Sequence, residues 1–176
     1  MKMRKTLLVM ATVTLLSCGA NADAVNKTIP APEVDTPAAE ATKPQVAVLA
    51  GGCFWGLQGM FEHVQGVTRV VAGYSGGDKA TAHYEMVGTE RTGHAESVEI
   101  TFDPKKISYG QLLRLFFSVA HDPTELDRQG PDRGPSYRSE IFFASPSQER
   151  IARAYVQQLT KAKVFASPIV TKIEPL

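Results

Sequence analysis

The distribution of hydrophobic residues predicts a series of strands and helices from residue 45 onward. Strands are predicted over residues 46–49, 67–74, 95–102 and 137–143, with a short final strand near 169–173. Helices are predicted over residues 54–64, after the cap residue Ser108, and after a capping box that begins at Ser145. This β-α-β-β-α-β order, followed by an extra C-terminal helix and strand, predicts an α+β protein with a two-layer sandwich of the ferredoxin-like type.

Two of the predicted helices have a clearly apolar face. The second places Leu112, Leu115, Phe116 and Val119 on one side, and the third repeats Ile151, Tyr155 and Leu159 every four residues. We expect both faces to belong to the core. Residues 75–94 and 120–136 contain no clear element, and loops of that length in a small domain are usually functional.

The first 44 residues follow a different pattern. Three basic residues precede an apolar run over 6–16, which is typical of a secretory signal and too short to span a bilayer. A soluble-export cleavage site, Ala20-Asn21-Ala22, comes next, and a Pro-rich stretch without aromatic residues follows it. We therefore expect a signal peptide over 1–22, a flexible spacer rich in Pro and Ala over 23–44, and one domain over 45–176.

A second processing site remains open in the same region. Residues 15–18, Leu-Leu-Ser-Cys, resemble the lipobox of bacterial lipoproteins, although Leu16 is larger than the residue usually found there. Cleavage after Ala22 would give a soluble periplasmic protein, whereas processing at Cys18 would leave a lipid anchor on that residue. We expect the periplasmic product and keep the membrane-anchored lipoprotein as the alternative.

Composition and charge narrow the classes of function. With 43% hydrophobic and 21% charged residues, the chain is neither disordered nor fibrous. Its 19 Lys and Arg residues against 18 Asp and Glu residues give a formal charge of +1, so the basic excess required for nucleic-acid binding is absent. We expect a monomer that binds no nucleic acid.

The chain has two cysteines, and removal of residues 1–22 would leave only Cys53. Exported proteins usually contain paired cysteines, so this thiol is either an inert buried residue or a nucleophile. Gly51 and Gly52 allow a sharp turn that places Cys53 at the N-terminus of the first helix, where the helix dipole favours a thiolate. Phe54 and Trp55 cannot both face one side of that helix, so one of them is expected to line a pocket beside the sulfur.

Glu96 begins the strand predicted over 95–102. By the two-residue period it shares the apolar face of that strand with Val98, Ile100 and Phe102. Burial raises the pKa of a carboxyl group, so Glu96 could stay protonated near neutral pH and act as a general acid. The alternative is a carboxylate at the strand end that turns back to solvent.

Two further sets of residues are less informative. The Gly- and Pro-rich stretch 128–139 indicates only a surface loop that could bind a ligand. The four histidines, His63, His83, His94 and His121, lack a close ligand spacing with Cys53, so we predict no metal site.

Taken together, these segments resemble the A-type peptide methionine sulfoxide reductases over about residues 46–176. The most specific match is Gly52-Cys53-Phe54-Trp55-Gly56. Other matches follow in the family's order: Gly73-Tyr74-Ser75-Gly76-Gly77, Tyr84 with Val87, Thr92-Gly93-His94-Ala95-Glu96, His121-Asp122-Pro123-Thr124, Arg128-Gln129-Gly130 with Asp132 and Gly134, and Tyr137-Arg138-Ser139.

The resemblance implies thiol-dependent reduction of free and protein-bound methionine (S)-sulfoxide to methionine, as a repair of oxidised exported proteins. By analogy, Cys53 is the nucleophile, Phe54 and Trp55 hold the substrate methyl group, and Gly52 lines the same site. Three residues donate hydrogen bonds to the sulfoxide oxygen, with Asp132 beside them: Glu96, Tyr84 and Tyr137. The oxygen stays on Cys53 as a sulfenic acid, which a thioredoxin-like or small-thiol reductant removes without a cofactor or metal.

The sequence departs from the family pattern in two places. Ser136 stands where many members have Gln, a change that we expect the loop to tolerate. Members also continue beyond the position of Leu176 with an aromatic and acidic segment and, commonly, one or two resolving cysteines. The resemblance therefore implies a domain truncated at its C-terminus, without an internal resolving thiol.

Two functions from other classes remain open. A single-cysteine thiol peroxidase would need an arginine and a threonine or serine near the thiol, and residues 51–56 supply neither. A non-catalytic exported binding module would leave Cys53 inert. Alkylation of the thiol as a function of pH would separate an activated Cys53 from an inert one.

Overall fold

The computed structural model of the protein describes residues 29–36 and 43–176. The predicted signal peptide, the two processing sites and Cys18 lie outside the described residues, as do the parts of the spacer at 23–28 and 37–42. No helix among the described residues has the length and apolar character needed to cross a membrane.

The described residues form strands and α-helices in the predicted order, with short additional elements in the loops. The strands are β1 (Gln45–Ala50), β2 (Val67–Ser75), β3 (Ala95–Phe102), β4 (Arg128–Gln129), β5 (Asp132–Arg133), β6 (Glu140–Phe143) and β7 (Lys172–Pro175). The α-helices are α1 (Phe54–Glu62), α2 (Tyr84–Val87), α3 (Tyr109–Leu115) and α4 (Pro146–Lys161). Two 3₁₀ turns, Lys79–Thr81 and Pro135–Tyr137, and a π-helical turn, Phe116–Ala120, complete the set.

Five strands form one sheet in the order β2-β3-β1-β6-β7. The first four are antiparallel to their neighbours, and β7 is added parallel to β6 at the edge. Strands β4 and β5 form a separate two-stranded hairpin. The order of the first four strands, together with crossovers through α1 and α3, confirms the predicted α+β sandwich of ferredoxin-like type.

The core lies between one face of this sheet and the long helices. Leu49 on β1 and Ile100 on β3 are fully buried in it, and α1 contributes Leu57 and Phe61. Helix α4 buries Ile151, Tyr155 and Leu159, as the spacing of four predicted. This packing fixes the sheet ends and helix N-termini, where the candidate site residues lie.

The apolar face predicted for the second helix is only partly correct. Helix α3 begins after Ser108 with the expected capping box and buries Leu112, but its regular turns end at Leu115. The chain then continues in a π-helical turn, which is wider than an α-helical turn and rotates the side chains that follow. Phe117 is therefore buried, whereas Val119 is 67% exposed and does not belong to the core.

The strand predicted over 137–143 is shorter than expected. Pro135 begins a 3₁₀ turn that includes Tyr137, and β6 starts only at Glu140. Proline fixes its own φ and cannot donate to a strand ladder, so the turn replaces the first part of the predicted strand. Tyr137 therefore lies in a loop beside the sheet.

Residues 29–36 pack against α3 and α4, so the prediction of a flexible spacer does not hold for this part of 23–44. The Tyr155 hydroxyl donates to the Pro30 carbonyl oxygen at 2.7 Å. At the start of α3, the Asp35 carboxylate accepts from the Gly110 N–H at 2.9 Å. A Pro-rich chain has few N–H groups but retains every carbonyl oxygen, and those oxygens accept from helix side chains here.

Candidate active site

Cys53 lies immediately before the first residue of α1, as the sequence predicted. Its backbone carbonyl accepts the first helical hydrogen bonds, from the N–H groups of Gly56 and Leu57. The preceding turn requires glycine, because Gly52 has φ 91° and a side chain there would approach Gln129 to within 2.6 Å. The thiol is half-buried and free. Cys53 is thus the N-cap residue at the positive dipole end of α1, although its side chain makes no hydrogen bond to the N–H groups of that turn.

The Glu96 carboxyl group is held at the same helix N-terminus. Its Oε2 atom accepts a hydrogen bond of 3.0 Å from the Phe54 N–H, the amide next to Cys53 in the chain. Glu96 is 7% exposed and shares the core face of β3 with Val98 and Ile100, as predicted. A carboxylate turned back to solvent is therefore excluded.

Burial raises the pKa of Glu96 above its ordinary value, and the nearby carboxylates of Asp132 and Glu90 raise it further. The hydrogen bond from the Phe54 N–H partly opposes this rise, because it stabilises the ionised form. A carboxyl group with a raised pKa beside a thiol can supply a proton at a pH where an ordinary carboxyl group cannot.

Tyr137 is brought to the same region by the 3₁₀ turn that carries it. Burial raises the pKa of its phenol, and the nearby Glu96, Asp132 and Glu90 carboxylates and the Cys53 thiol raise it further. The phenol therefore stays protonated and can donate a hydrogen bond. Asp132, on the hairpin strand β5, is close enough to influence both Glu96 and Tyr137.

The predicted substrate-binding aromatic residues differ in exposure. Phe54 is 9% exposed and packs in the core, whereas Trp55 is 74% exposed, with its ring centroid 6.3 Å from that of Phe54. Tyr84, at the start of α2, is 69% exposed, and it makes no side-chain hydrogen bond within residues 29–36 and 43–176. Trp55 and Tyr84 thus expose their rings to solvent, whereas Phe54 is packed inside.

Sequence reasoning did not identify Tyr74 as a member of this cluster. Tyr74 on β2 is the register partner of Glu96 on β3, and its ring lies 5.6 Å from that of Phe54. Burial and the nearby Glu96 raise the pKa of the Tyr74 phenol. The sequence places Tyr74 at the end of a strand rich in β-branched residues, but it does not reveal that this strand pairs with the strand of Glu96.

The His121 ring packs against Gly51, in the turn that precedes Cys53. Its Nδ1 donates to the Phe116 carbonyl oxygen at 3.0 Å, and its Nε2 therefore accepts from the Ser139 hydroxyl at 2.7 Å. Burial lowers the pKa of His121 to about 4, so the imidazole is neutral. A side chain at Gly51 would meet this ring at 2.9 Å, which explains the small residue there.

Within residues 29–36 and 43–176, no group of three or more His, Cys, Asp or Glu side chains is arranged to hold a metal ion.

Comparison with known proteins decides the family. The family described as "Peptide methionine sulfoxide reductase" matches residues 45–176, which contain all of the site residues above. The chain belongs to this family. Membership in the reductase family agrees with the order of motifs around Cys53, Glu96 and Tyr137.

Individual members of the family show the same similarity. The "Peptide methionine sulfoxide reductase MsrA 2" of Mesorhizobium japonicum is 61% identical over 130 residues, which cover 74% of this chain and 67% of that protein. The "Methionine sulfoxide reductase A of Corynebacterium diphtheriae" has a similar structure, with 33% identity and a TM-score of 0.63 over 76% of this chain and 65% of that chain. The chain thus spans about two thirds of the length of these relatives.

A second similar structure was solved with a protein partner. It is that of Mxr1 from Saccharomyces cerevisiae in complex with Trx2, with 25% identity and a TM-score of 0.53 over 76% of each chain. Similarity to these structures agrees with the central sheet and flanking helices described above.

Proposed function

We propose that this protein reduces methionine (S)-sulfoxide, free or in polypeptides, to methionine by attack of Cys53 on the sulfoxide sulfur. The observation that carries the proposal is the hydrogen bond between the Phe54 N–H and the Glu96 carboxylate. It holds a proton donor next to the thiol at the N-terminus of α1. Family membership supports the same activity.

The reductive step requires one thiolate and one proton. A sulfoxide oxygen is a poor leaving group, so it must receive a proton or strong hydrogen bonds as the sulfur is attacked. The Cys53 thiolate and the Glu96 proton convert the sulfoxide into the thioether of methionine, and the oxygen remains on Cys53 as a sulfenic acid. The phenols of Tyr137 and Tyr84 donate to the same oxygen, and Asp132 lies beside them.

The charge of the site favours this division of roles between Cys53 and Glu96. Two adjacent anions would repel each other, so a thiolate at Cys53 is compatible with a protonated Glu96. The raised pKa of Glu96 supports this arrangement. The helix N-terminus then stabilises one negative charge at a time, first on sulfur and then on the carboxylate.

Substrate selection follows from the apolar side of the site. The methyl group of the sulfoxide packs against Phe54 and Trp55, above the backbone of Gly52, while the oxygen faces Glu96. With the methyl group and the oxygen both fixed, the chain of the substrate can leave the site in only one direction. Such a site accepts one epimer at sulfur, and similarity to the A-type reductases implies that this is the S epimer.

Regeneration of the thiol requires an external reductant. A first thiol condenses with the sulfenic acid to give a mixed disulfide and water, and a second thiol releases Cys53 and carries away the disulfide. We propose a thioredoxin-like protein or a small thiol in this role. The solved complex of Mxr1 with Trx2, a thioredoxin, supports a thioredoxin partner.

We further propose that the protein acts on oxidised exported proteins in the periplasm. The support for this location is the basic and apolar pattern of residues 1–22. Membrane fractionation of cells that express the full chain tests it. Release in the soluble periplasmic fraction supports cleavage after Ala22, and recovery with membranes supports a lipid anchor on Cys18.

An assay with the two sulfoxide epimers separated tests the activity. The full chain with dithiothreitol should convert the S epimer of a blocked methionine sulfoxide to methionine and leave the R epimer unchanged. Cys53→Ser should abolish conversion while retaining the fold, because serine is close in size but forms no anion near neutral pH. Faster consumption of hydrogen peroxide than of sulfoxide would instead indicate a thiol peroxidase, and no turnover of either would indicate a binding module.

A further inference from the structure

Glu90 adopts an unusual backbone conformation close to the site. Its φ is 61°, in the left-handed region that residues other than glycine adopt only at an energetic cost. Such conformations persist where surrounding contacts hold them, and they are concentrated at functional sites. The contacts of the Glu90 side chain hold this conformation in place.

The carboxylate of Glu90 makes two hydrogen bonds to one residue. Its Oε2 accepts from the Ser136 N–H at 2.9 Å, and its Oε1 accepts from the Ser136 hydroxyl at 2.7 Å. Ser136 is 3% exposed, so both of its donors are removed from water. A side chain at Gly134 would overlap with this carboxylate, which makes glycine necessary there.

These bonds stabilise the 3₁₀ turn Pro135–Tyr137. The first N–H groups of a helical turn have no partner inside it, and the Glu90 carboxylate supplies that partner at Ser136. Tyr137 is the next residue in the turn. The Glu90 contact therefore fixes the backbone position of Tyr137, and with it the place of the phenol.

The opposite side of the turn is held by Arg138. Its guanidinium donates to the Pro135 carbonyl oxygen at 2.8 Å and to the Gly93 carbonyl oxygen at 2.9 Å. Gly93 belongs to the same loop as Glu90, the one that leads into Glu96. The residue before Tyr137 and the residue after it are thus both tied to the loop that positions the proton donor.

We propose that Glu90 is a positioning residue for Tyr137, whose phenol it fixes relative to Glu96 through the paired hydrogen bonds to Ser136. This inference rests on the proposed function, because it takes Tyr137 as a donor to the sulfoxide oxygen. The negative charge of Glu90 also helps the Tyr137 phenol to act as a hydrogen-bond donor. It contributes to the raised pKa of Tyr137, which keeps the phenol protonated.

The variant Glu90→Gly removes the contact without damaging the backbone, because glycine adopts this φ freely. Lys163→Gly is the matched control, since Lys163 is exposed beyond α4 and also has a positive φ, of 50°. Any gain in stability from relief of backbone strain should appear in both variants. Only Glu90→Gly should affect the site. Glu90→Gln keeps the length and one acceptor, so its effect should be intermediate.

A double-mutant cycle with Tyr137→Phe tests whether Glu90 acts through Tyr137. At a pH low enough to keep Glu96 protonated without the Glu90 charge, Glu90→Gly should slow single-turnover formation of methionine by about tenfold in the wild-type background and by less than about twofold in the Tyr137→Phe background. Lys163→Gly should leave the rate unchanged. Equal losses in the two backgrounds would overturn the proposal, as would a wild-type rate in Glu90→Gly.

A spectroscopic measurement separates this inference from the proposed function. The chain has five tyrosines, so a protein labelled with 3-fluorotyrosine should give five ¹⁹F resonances, with that of Tyr137 identified by its loss in Tyr137→Phe. Glu90→Gly should shift or broaden the Tyr137 resonance, and Lys163→Gly should not. If the protein reduces neither sulfoxide epimer, the proposed function fails, and an unchanged Tyr137 resonance in Glu90→Gly would overturn the positioning role independently.

Discussion

The Phe54 N–H donates a hydrogen bond of 3.0 Å to the Glu96 carboxylate, so a buried carboxyl group is bonded to the first residue of α1, directly after Cys53 in the chain. The bond joins the end of β3 to the start of α1, two elements that are 42 residues apart in the chain. It stabilises the helix N-terminus and at the same time holds a proton donor beside the nucleophile.

Replacement of this donor should slow the chemical step. We expect Glu96→Gln to reduce the single-turnover rate of methionine formation by about 10²- to 10⁴-fold, because an amide can donate a hydrogen bond but cannot deliver a proton. Since burial raises the pKa of Glu96, the wild-type rate should fall as pH rises through that raised pKa, and the variant should lack this descending limb. A variant rate within a few-fold of wild type would mean that the tyrosines alone activate the oxygen.

The same substitution should change the pH dependence of stability in a defined direction. A carboxyl group whose pKa is higher in the folded protein than in the unfolded chain contributes stability at low pH, and that contribution is lost as pH rises through the folded pKa. Glu96→Gln removes this loss. Its free energy of unfolding relative to wild type should therefore be higher at pH 8 than at pH 4, as urea titrations would show. A constant difference across this range would contradict the raised pKa.

Trp55 offers both a substrate contact and a reporter, because it is the single tryptophan of the chain and is 74% exposed. We expect Trp55→Ala to weaken substrate binding by about tenfold, through loss of an apolar contact. Its stability should stay within about 0.5 kcal/mol of wild type. Val119→Ala, at another exposed apolar residue, is the control and should leave both quantities unchanged.

Fluorescence gives the binding measurement directly. In a Cys53→Ser background, a methionine sulfoxide peptide should shift Trp55 emission to shorter wavelength as the substrate covers the indole. No shift at a concentration that saturates turnover would show that the indole does not contact the substrate.

His121 should make the protein sensitive to mild acid. Its pKa is lowered to about 4 in the folded protein, so the unfolded chain takes up a proton first as pH falls below about 6.5. The stability that the neutral ring contributes is present above that pH and is lost progressively toward pH 4, by about 3 kcal/mol in total. His121→Leu should be less stable at pH 7 but should lack this slope. Equal slopes for wild type and variant in urea titrations would contradict the assignment.

Two buried tyrosines form a matched pair for testing the docking of residues 29–36. The Tyr155 hydroxyl donates to the Pro30 carbonyl oxygen at 2.7 Å, whereas the Tyr109 hydroxyl finds no partner within the part of the chain that the structure describes. Tyr155→Phe should cost about 1 kcal/mol of stability, and Tyr109→Phe should be neutral or stabilising. Removal of residues 1–36 should abolish the difference between the two variants. A difference that persists would show that Pro30 is not the partner that matters.

The sequence predicted the fold where local patterns are sufficient. Periodicity and caps located α1, α3 and α4, and the two-residue period placed Glu96 on the core face of β3. The same reasoning failed at Val119, because a π-helical turn leaves no signature in hydrophobic spacing. It also failed at residues 29–36, which dock through backbone carbonyl oxygens that every residue possesses together with the Asp35 carboxylate.

The sequence predicted the candidate site residues that react, but it did not predict the residues that position them. Cys53 and Glu96 lie in distinctive local motifs, whereas Tyr74 joins the site only through strand register. Ser136 was interpreted as a tolerated change in a loop, yet it is buried and bonded to Glu90, 46 residues away. Contacts over such separations depend on how loops fold onto the sheet, which a single sequence does not reveal.

The central claim is that Cys53 takes the sulfoxide oxygen, and mass spectrometry after one turnover tests it most directly. The full chain with Cys18→Ser, mixed with excess methionine (S)-sulfoxide and no reductant, should release one equivalent of methionine. The peptide that contains Cys53 should then gain one oxygen atom and be trapped by a dimedone-type reagent. Release of methionine with Cys53 unmodified, or continued release by Cys53→Ser, would contradict the account.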